Sequence, residues 1–380
     1  MASTGIGITN NKMIKKGKRK LSLIDKIILA LNIIAAITLL LSYLAPVTDP
    51  RTFALIALLG FAYQPLFIVN VLFIIYWLIR SRILALISAV SLLSGVTVFA
   101  LNFGFHFFSH ANVETKPQEA IRMMEYNVHG FVGIQENDKK PILDSIARVI
   151  SINKPDIINI EEVYLKKRDS AKRINTLQAA LGFKYFYYKP FINNQWFSSG
   201  NAIFSRFPII DTGYVQTANI LDTKAIYIDV KYKNETFRVY CIHLAAVEIK
   251  EVEKRKFMGG HVNLGILSFI QGRLISAFLL RNHQVDKIKE DISKCPYPYI
   301  VAGDFNDTPI SYAVNEMSDG LKNAFIEKGS GFGTSYYSLF PKLHLDYILV
   351  SPQFDVLSYQ TVNKKLSDHR PIFSDLRLNK

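Results

Sequence analysis

Ser367-Asp368-His369-Arg370-Pro371 puts an aspartate beside a histidine, immediately before an apolar run, 372–378, that reads as a strand. Five upstream segments repeat this pattern of polar side chains at the edge of an apolar run. They are Glu125-Tyr126-Asn127-Val128, Asn159-Ile160-Glu161-Glu162-Val163, Cys241-Ile242-His243-Leu244, Gly303-Asp304-Phe305-Asn306-Asp307 and Leu345-Asp346-Tyr347-Ile348. A strand end that opens into a loop is where functional side chains gather. One aspartate at such a place usually caps its own backbone. Eight residues there, Asn127, Glu162, His243, Asp304, Asn306, Asp346, Asp368 and His369, exceed what turn capping explains.

Outward from these motifs, short β-rich runs alternate with helical periodicity. Strands are expected at 121–126, 156–161, 185–188, 201–205, 225–232, 237–243, 299–303, 345–351 and 372–378. Helices are expected at 140–153, 170–181 and 269–293. The alternation suggests sheets packed face to face with helices outside. Residues 250–268 stand out as an insertion, charged from Lys250 to Lys256 and apolar afterwards. It reads as an extension of the following helix that covers the core. A lid, or a patch touching lipid or substrate, is the alternative.

The residue types fit one reaction. A hard divalent cation takes one or two carboxylates plus water and phosphate oxygens, which Glu162 and Asp368 supply. Asp304 can orient a water. Asn127, Asn306 and His369 can donate to phosphoryl oxygens. Asp346 is a suitable partner to hold His369 in one tautomer.

These segments, together with Gly200-Asn201-Ala202-Ile203-Phe204-Ser205, run in the order of the endonuclease/exonuclease/phosphatase superfamily, which residues 119–379 resemble. The resemblance implies a DNase I-like, four-layered α/β sandwich and divalent-metal hydrolysis of phosphoesters, with Mg²⁺ the expected ion and Mn²⁺ a substitute. It implies Glu162 as principal metal ligand, with Asn127 and Asp368 near the same ion. Asp304, with Asn306 beside it, would act on the attacking water. His243 would lie on the leaving-group side, and His369, backed by Asp346, would polarise the phosphate. Asn201, Arg206, Lys224 and Arg273 are the substrate-binding candidates, the last three as part of a basic rim with Lys364 and Lys365. Glu161 departs from the family pattern, which commonly has Gln there, and is expected to point away along its strand.

The first third differs in texture. Residues 1–111 contain ten Lys/Arg and two Asp/Glu, a net of +8 out of the chain's +14. The remaining +6 suits a polyanionic substrate without demanding one. Three nearly uncharged runs, 27–47, 52–79 and 83–108, are each long enough to span a bilayer. A basic segment, 1–26, precedes them, a linker, 109–118, follows, and the catalytic domain occupies 119–380. Lys/Arg cluster before the first span and at Arg80 and Arg82. The positive-inside rule therefore puts the N-terminus in the cytoplasm and the catalytic domain outside it. A cleavable signal peptide is the rival reading of the first run, disfavoured by its length. Asn70 and His106 are expected to pack between helices or near an interface. Cys241 and Cys295 read as two buried thiols.

The expected function is thus a membrane-anchored phosphodiesterase or nuclease acting outside the cytoplasm. The partners are a phosphoester, from nucleic acid or a phospholipid headgroup, and the bilayer; no specific protein partner is indicated. The alternatives are a lipid-headgroup phosphodiesterase or phosphatase, and a non-catalytic receptor or scaffold. Retention of all eight polar residues argues against the last.

Overall fold

In the computed structural model, which describes residues 21–106, 116–132, 142–166, 170–215, 224–247, 264–337 and 343–379, the first apolar run is helix α1, Leu23–Ser42. Ser22 and Asp25 close a capping box at its start, and Asp25 also pairs with Arg80 at 2.7 Å. The run expected as one span over 52–79 breaks at Ala62 into α2, Pro50–Phe61, and α3, Tyr63–Arg80. The twelve residues of α2 rise only about 18 Å, too short to cross a bilayer. The run expected over 83–108 bends by 62° between α4, Ala85–Ser94, and α5, Val96–Asn102. At the bend, a Cβ on Gly95 would stand 2.2 Å from the Tyr43 ring, so the crossing needs glycine.

Asn70 is buried between helices, as expected. Its Nδ2 donates to Ala35 O at 3.1 Å, and Ser88 Oγ donates to its Oδ1 at 2.8 Å. His106 instead lies exposed beside the following domain, its N–H donating to Gly329 O at 3.1 Å.

After the short strand β1, Gly104–Phe105, come β2, Ile121–Asn127, α6, Leu143–Asn153, and β3, Ile157–Lys166. Helix α7, Ser170–Leu181, leads to β4, Tyr185–Asn193, β5, Phe197–Ser205, β6, Ile209–Tyr214, β7, Lys224–Tyr232, and β8, Glu235–His243. The long helix α8, Leu264–Ile292, precedes β9, Tyr299–Asp304, α9, Tyr312–Ser318, β10, Lys322–Asn323, α10, Ala324–Lys328, and β11, Ser330–Gly331. Strands β12, Asp346–Val350, β13, Phe354–Thr361, and β14, Ile372–Leu378, close the domain.

The strands form two six-stranded sheets, β10-β12-β9-β8-β7-β6 and β13-β14-β2-β3-β5-β4. Strand periodicity of two sorts the side chains. Ile121 and Met123 of β2 meet Val239 and Cys241 of β8 and Ile300 and Ala302 of β9 in the space between the sheets. Met124 and Tyr126 face outward onto α6 and α7, and Tyr240 and Ile242 onto α8 and α9. The result is the expected four-layered sandwich. Strands β6 and β13 were not legible in sequence; both are sheet edges, where polar residues are tolerated. Within the 250–268 insertion, 250–263 lie outside the described residues. Residues 264–268 do extend α8, but they are largely exposed and do not cover the core.

One buried ion pair ties β2 to β14: Arg122 grips Asp375 through Nε at 2.7 Å and through its second arm at 2.9 Å, both side chains 1 % exposed. Removing one partner strands the other, so Arg122→Ala should cost about 3–5 kcal/mol in denaturant unfolding of the domain. Replacing both, Arg122→Met with Asp375→Leu, should recover most of that loss. A double variant no more stable than the single one would contradict this account.

Candidate active site

The same periodicity that builds the inter-sheet core also ends it. Strands β2 and β3 run parallel with Asn127 opposite Glu161, and β8 and β9 run parallel with His243 opposite Asp304. Asp346 opens β12 opposite Asp304. Five polar side chains therefore arrive at one end of the space between the sheets. The β8–β9 approach there is close: Gly303, at φ +154°, has Ile242 O only 1.9 Å from where a Cβ would sit. Only glycine fits.

Glu162 reaches the site by a different route. Register shifts between Ile160 and Val163 of β3, and Glu162 sits at φ +54°. This bulge turns two consecutive glutamates to different places. His129 and Asn306, also at positive φ, complete a cluster of strained backbone around the site.

The contacts converge. Asn127 Nδ2 donates to Glu162 Oε1 and Asp304 Oδ2, both at 3.2 Å. Asn306 offers its N–H to Asp304 Oδ1 at 2.7 Å and its Nδ2 to Leu244 O at 2.9 Å. His369 Nδ1 lies 2.9 Å from Asp346 Oδ2, and its Nε2 is 3.6 Å from Asp304 Oδ2. His243 Nε2 stands 3.8 Å from both Glu162 and Asp304. All eight expected residues therefore meet in one place. Ser367 Oγ donates to Asn127 O at 2.8 Å, which fixes the 367–369 turn against β2.

Two site residues were missed in sequence. His129 Nδ1 lies 3.6 Å from Glu162 Oε2 and 3.6 Å from Asp368 Oδ2. Its signal was available: it follows Asn127 by two positions. The Tyr336 ring packs on the His369 ring with centroids 5.0 Å apart; nothing local in sequence marks it.

The electrostatics separate the carboxylates. Burial opposes ionisation of Glu162, but His129, His243 and the Asn127 amide hold its carboxyl well below the usual range. Asp304 is pushed up to about 8 by burial and by neighbouring Asp346 and Glu161, against His369 and the Asn306 N–H. Burial also opposes charge on His369, yet Asp346 and Asp304 raise it well above an ordinary imidazole. His243 is lowered to about 4 by burial and by Lys224, and so is neutral at pH 7.

The donor set suits a hard divalent cation. Glu162 and Asp368 are bracketed by a single imidazole, an excess of negative charge that a cation would offset. Asp304, Asp346 and His369 offer a second group of ligand atoms within 4.8 Å of one another. The Asp346–His369 bond already occupies that group, so the more open carboxylates Glu162 and Asp368 are the better oxygen ligands.

Of the substrate-binding candidates, Lys224 and Arg273 line a cavity of about 390 Å³ beside His243. Asn201 is buried, and its Nδ2 donates to Lys224 O at 2.8 Å, so it positions that residue's backbone. Arg206 does not join them. It follows β5 at the opposite end of the sheet, where Nε donates to Pro155 O at 2.9 Å. Glu161 points into the inter-sheet core, with Cys241 Sγ 3.0 Å from its Oε1. Burial pushes its carboxyl up to about 7, and that of neighbouring Glu125 well above the ordinary range. Both cysteines are free, but Cys295 is only partly buried.

Known proteins share this architecture. A structure from Beutenbergia cavernae, an endonuclease/exonuclease/phosphatase, aligns with TM-score 0.51 at 20 % identity, over 69 % of this chain and 72 % of its own. A family protein from Bacteroides thetaiotaomicron aligns with TM-score 0.51 at 16 % identity, over 69 % and 98 %. A mannosyl-6-phosphatase from the same species aligns with TM-score 0.50 at 16 % identity, over 67 % and 99 %. At these identities the likeness is one of fold. No curated protein matches by sequence. Residues 25–102 match a domain of unknown function (DUF8431). Residues 124–369 match the Endonuclease/Exonuclease/phosphatase family, and over that span the chain belongs to it.

Proposed function

We propose that this protein is a membrane-anchored, Mg²⁺-dependent phosphoester hydrolase whose catalytic domain works outside the cytoplasm. The observation that carries the reading is the meeting of Glu162, Asp304 and Asp368 with the His369–Asp346 pair at one end of the inter-sheet space. Glu162 and Asp368, with Asn127, would hold the divalent ion. Bound there, it would neutralise charge on the phosphoryl oxygens. Asp304, raised towards neutrality and oriented by the Asn306 N–H, is suited to take a proton from the attacking water. Protonated His369 donates from Nε2 to a phosphoryl oxygen, its other nitrogen held by Asp346. Neutral His243 borders the cavity where the leaving group would lie.

Membrane anchoring is supported by α1 and α3, each long and apolar enough to span, and by the bent α4–α5 pair. Their exposed faces carry Leu31, Ile34, Leu72, Ile75, Leu86 and Val90, side chains that suit lipid. The Asp25–Arg80 pair puts the start of α1 and the end of α3 at one end of the bundle, with Lys26 and Arg82 nearby in sequence. The catalytic domain packs at the other end. There Ile310 is buried with Leu39, Tyr63 and Val98. Cations at one end and the domain at the other fit an extracytoplasmic site.

Five outcomes test this reading. Purified protein should hydrolyse bis(p-nitrophenyl) phosphate with Mg²⁺ and lose the activity to chelator. Asp304→Asn should lower kcat about 10²–10⁴-fold, the usual contribution of a general base. Glu162→Gln should shift the Mg²⁺ titration to higher concentration. Activity indifferent to both chelator and Asp304→Asn would sink the mechanism. Asp346→Asn removes the anion that keeps His369 protonated, so the alkaline limb of the kcat profile should move to lower pH; an unmoved limb would exclude His369 as the donor. Finally, a reporter fused after Lys380 should read extracytoplasmic, and a cytoplasmic signal would reverse the orientation.

A further inference from the structure

Helix α8 belongs to two places at once. Its C-terminal half is core: Val285 and Ile288 are buried on the sheet. Its N-terminal half is not. From Leu264 to Leu280 the only charged residue is Arg273. Leu264 is 85 % exposed and Leu267 46 %, and the helix contains a stretch apolar enough to enter a membrane. Monomeric soluble surfaces rarely leave so long an apolar helix uncovered.

The anchor fixes where this free half points. Helix α2 lies along α8, with Arg51 Nη1 2.5 Å from Asp286, Asn282 Nδ2 3.2 Å from Asp49, and the Phe61 and Phe278 rings 6.3 Å apart. Passing from Asp286 to Phe278 along α8 therefore means passing along α2 to Phe61, one residue short of the Ala62 break where α3 begins. Residues 264–277 continue beyond that point for about 20 Å. The apolar half of α8 thus runs on past the point where the chain turns into its span.

The same turns of α8 form a wall of the active-site cavity. Arg273 and Leu280 face it, together with Phe191 and Ile192 from β4, Lys224 from β7 and His243 from β8. Among the described residues, neither Lys224 nor Arg273 has a carboxylate partner. The cavity therefore combines two cations, Lys224 and an Arg273 seated over the Phe269 ring, with a hydrocarbon wall, next to the leaving-group side of the site. Nucleic acid would use the cations but leave the aliphatic wall and the apolar helix without a role. An anionic amphiphile uses all three.

We propose that the phosphoester hydrolysed is that of a membrane phospholipid, drawn from the leaflet along the first half of α8 into the cavity at His243. The inference rests on the hydrolase reading above. Lys224 and Arg273 hold the anionic headgroup region. Phe191, Ile192 and Leu280 cover the glycerol end of the acyl chains, which places the diacylglycerol oxygen as the leaving oxygen. Water adds its oxygen to phosphorus and gives a proton to Asp304. The P–O bond to diacylglycerol breaks, and the departing alkoxide takes up a proton from solvent. The products are diacylglycerol and the phosphorylated headgroup, or inorganic phosphate from a monoester.

The test uses the full chain in phosphatidylcholine vesicles containing either phosphatidylglycerol or phosphatidic acid, with bis(p-nitrophenyl) phosphate and single-stranded DNA as soluble arms. Metal-dependent release of diacylglycerol from at least one vesicle type is expected. Leu280→Asp and Arg273→Glu should each lower the ratio of lipid to soluble-diester turnover by about tenfold, the effect of roughly one lost apolar or ionic contact. Leu280 is exposed, so its replacement tests the wall rather than the fold. Hydrolysis of the soluble diester or of DNA with no lipid turned over overturns the lipid inference and leaves the hydrolase reading standing. Phosphatidic acid released from phosphatidylglycerol overturns the leaving-group assignment. Failure in every arm removes the hydrolase reading itself.

Discussion

Everything in the catalytic domain depends on two parallel strand pairs facing each other across one apolar space. Parallel neighbours end together, so β2 with β3 and β8 with β9 deliver their last side chains to the same edge. Because strand side chains alternate, the positions that carry Ile121, Met123, Cys241 and Ala302 into the core also carry Asn127, His243 and Asp304 to its rim. A one-residue slip in either sheet would turn these groups onto the helices. Asn159 guards against that slip: its Nδ2 donates across the gap to Tyr240 O and Ala302 O, both at 2.9 Å. A buried amide spanning two sheets is costly unless satisfied, and here its two donors are used on the strands that must stay in register.

The arrangement concentrates negative charge, and the protein limits the consequence by burial. Glu125 and Glu161 lie beneath Asp304 and Asp346, and if all four were ionised the repulsion in a low-dielectric core would be severe. Burial raises the two glutamates towards the neutral form, which lessens the negative charge of that stack. Glu162 stays ionised because the bulge of β3 lifts it out of the same core to a half-exposed place near His129. Adjacent glutamates in sequence thus have opposite electrostatic roles, decided by one irregular residue pair in a strand.

That bulge marks the limit of what the residues disclosed in advance. The motif segments could be read because each ends an apolar strand, and strand ends are visible as a change from apolar to polar. Glu161 keeps the alternation of Ile157 and Asn159 and so enters the core; the direction of Glu162 was not visible, since alternation would turn it onto the helices and the bulge makes it the exception. Arg206 was misjudged for a related reason: it also follows an apolar strand, but β5 is antiparallel to β3, so its exit lies at the other end. Edge strand β6 lacks an apolar signature because an edge does not need one, whereas β13 has a short one, Phe354, Val356 and Tyr359, broken by a bulge after Val356. In the first third, apolar composition marks the helices, and Gln64 and Pro65, in the first turn of α3, mark the interruption of 52–79; a kink within one span and a break into two helices look alike there. Neither α2 nor α3 has a charge in its interior, so the change of partner, from the other apolar helices to α8, leaves no compositional trace.

That change of partner makes the N-terminal helices part of the domain's architecture. The loop leaving β9 carries Asp304, Asn306 and Asp307 and ends at Ile310, which is buried among Leu39, Tyr63 and Val98 of the bundle. Arg281 of α8 holds Asp307 at 2.7 Å, both side chains nearly fully buried. A few residues therefore link the Asp304 carboxylate to the N-terminal helices on one side and to α8 on the other. Packed contacts of this kind transmit position but allow little independent movement. A flexible linker would let the domain sample many orientations. Here, by contrast, the end of β9, the cavity wall and the N-terminal apolar helices are packed at one orientation to each other. The contacts that hold this geometry run between α2 and the Phe278–Asp286 stretch of α8, and the sandwich alone does not need α2.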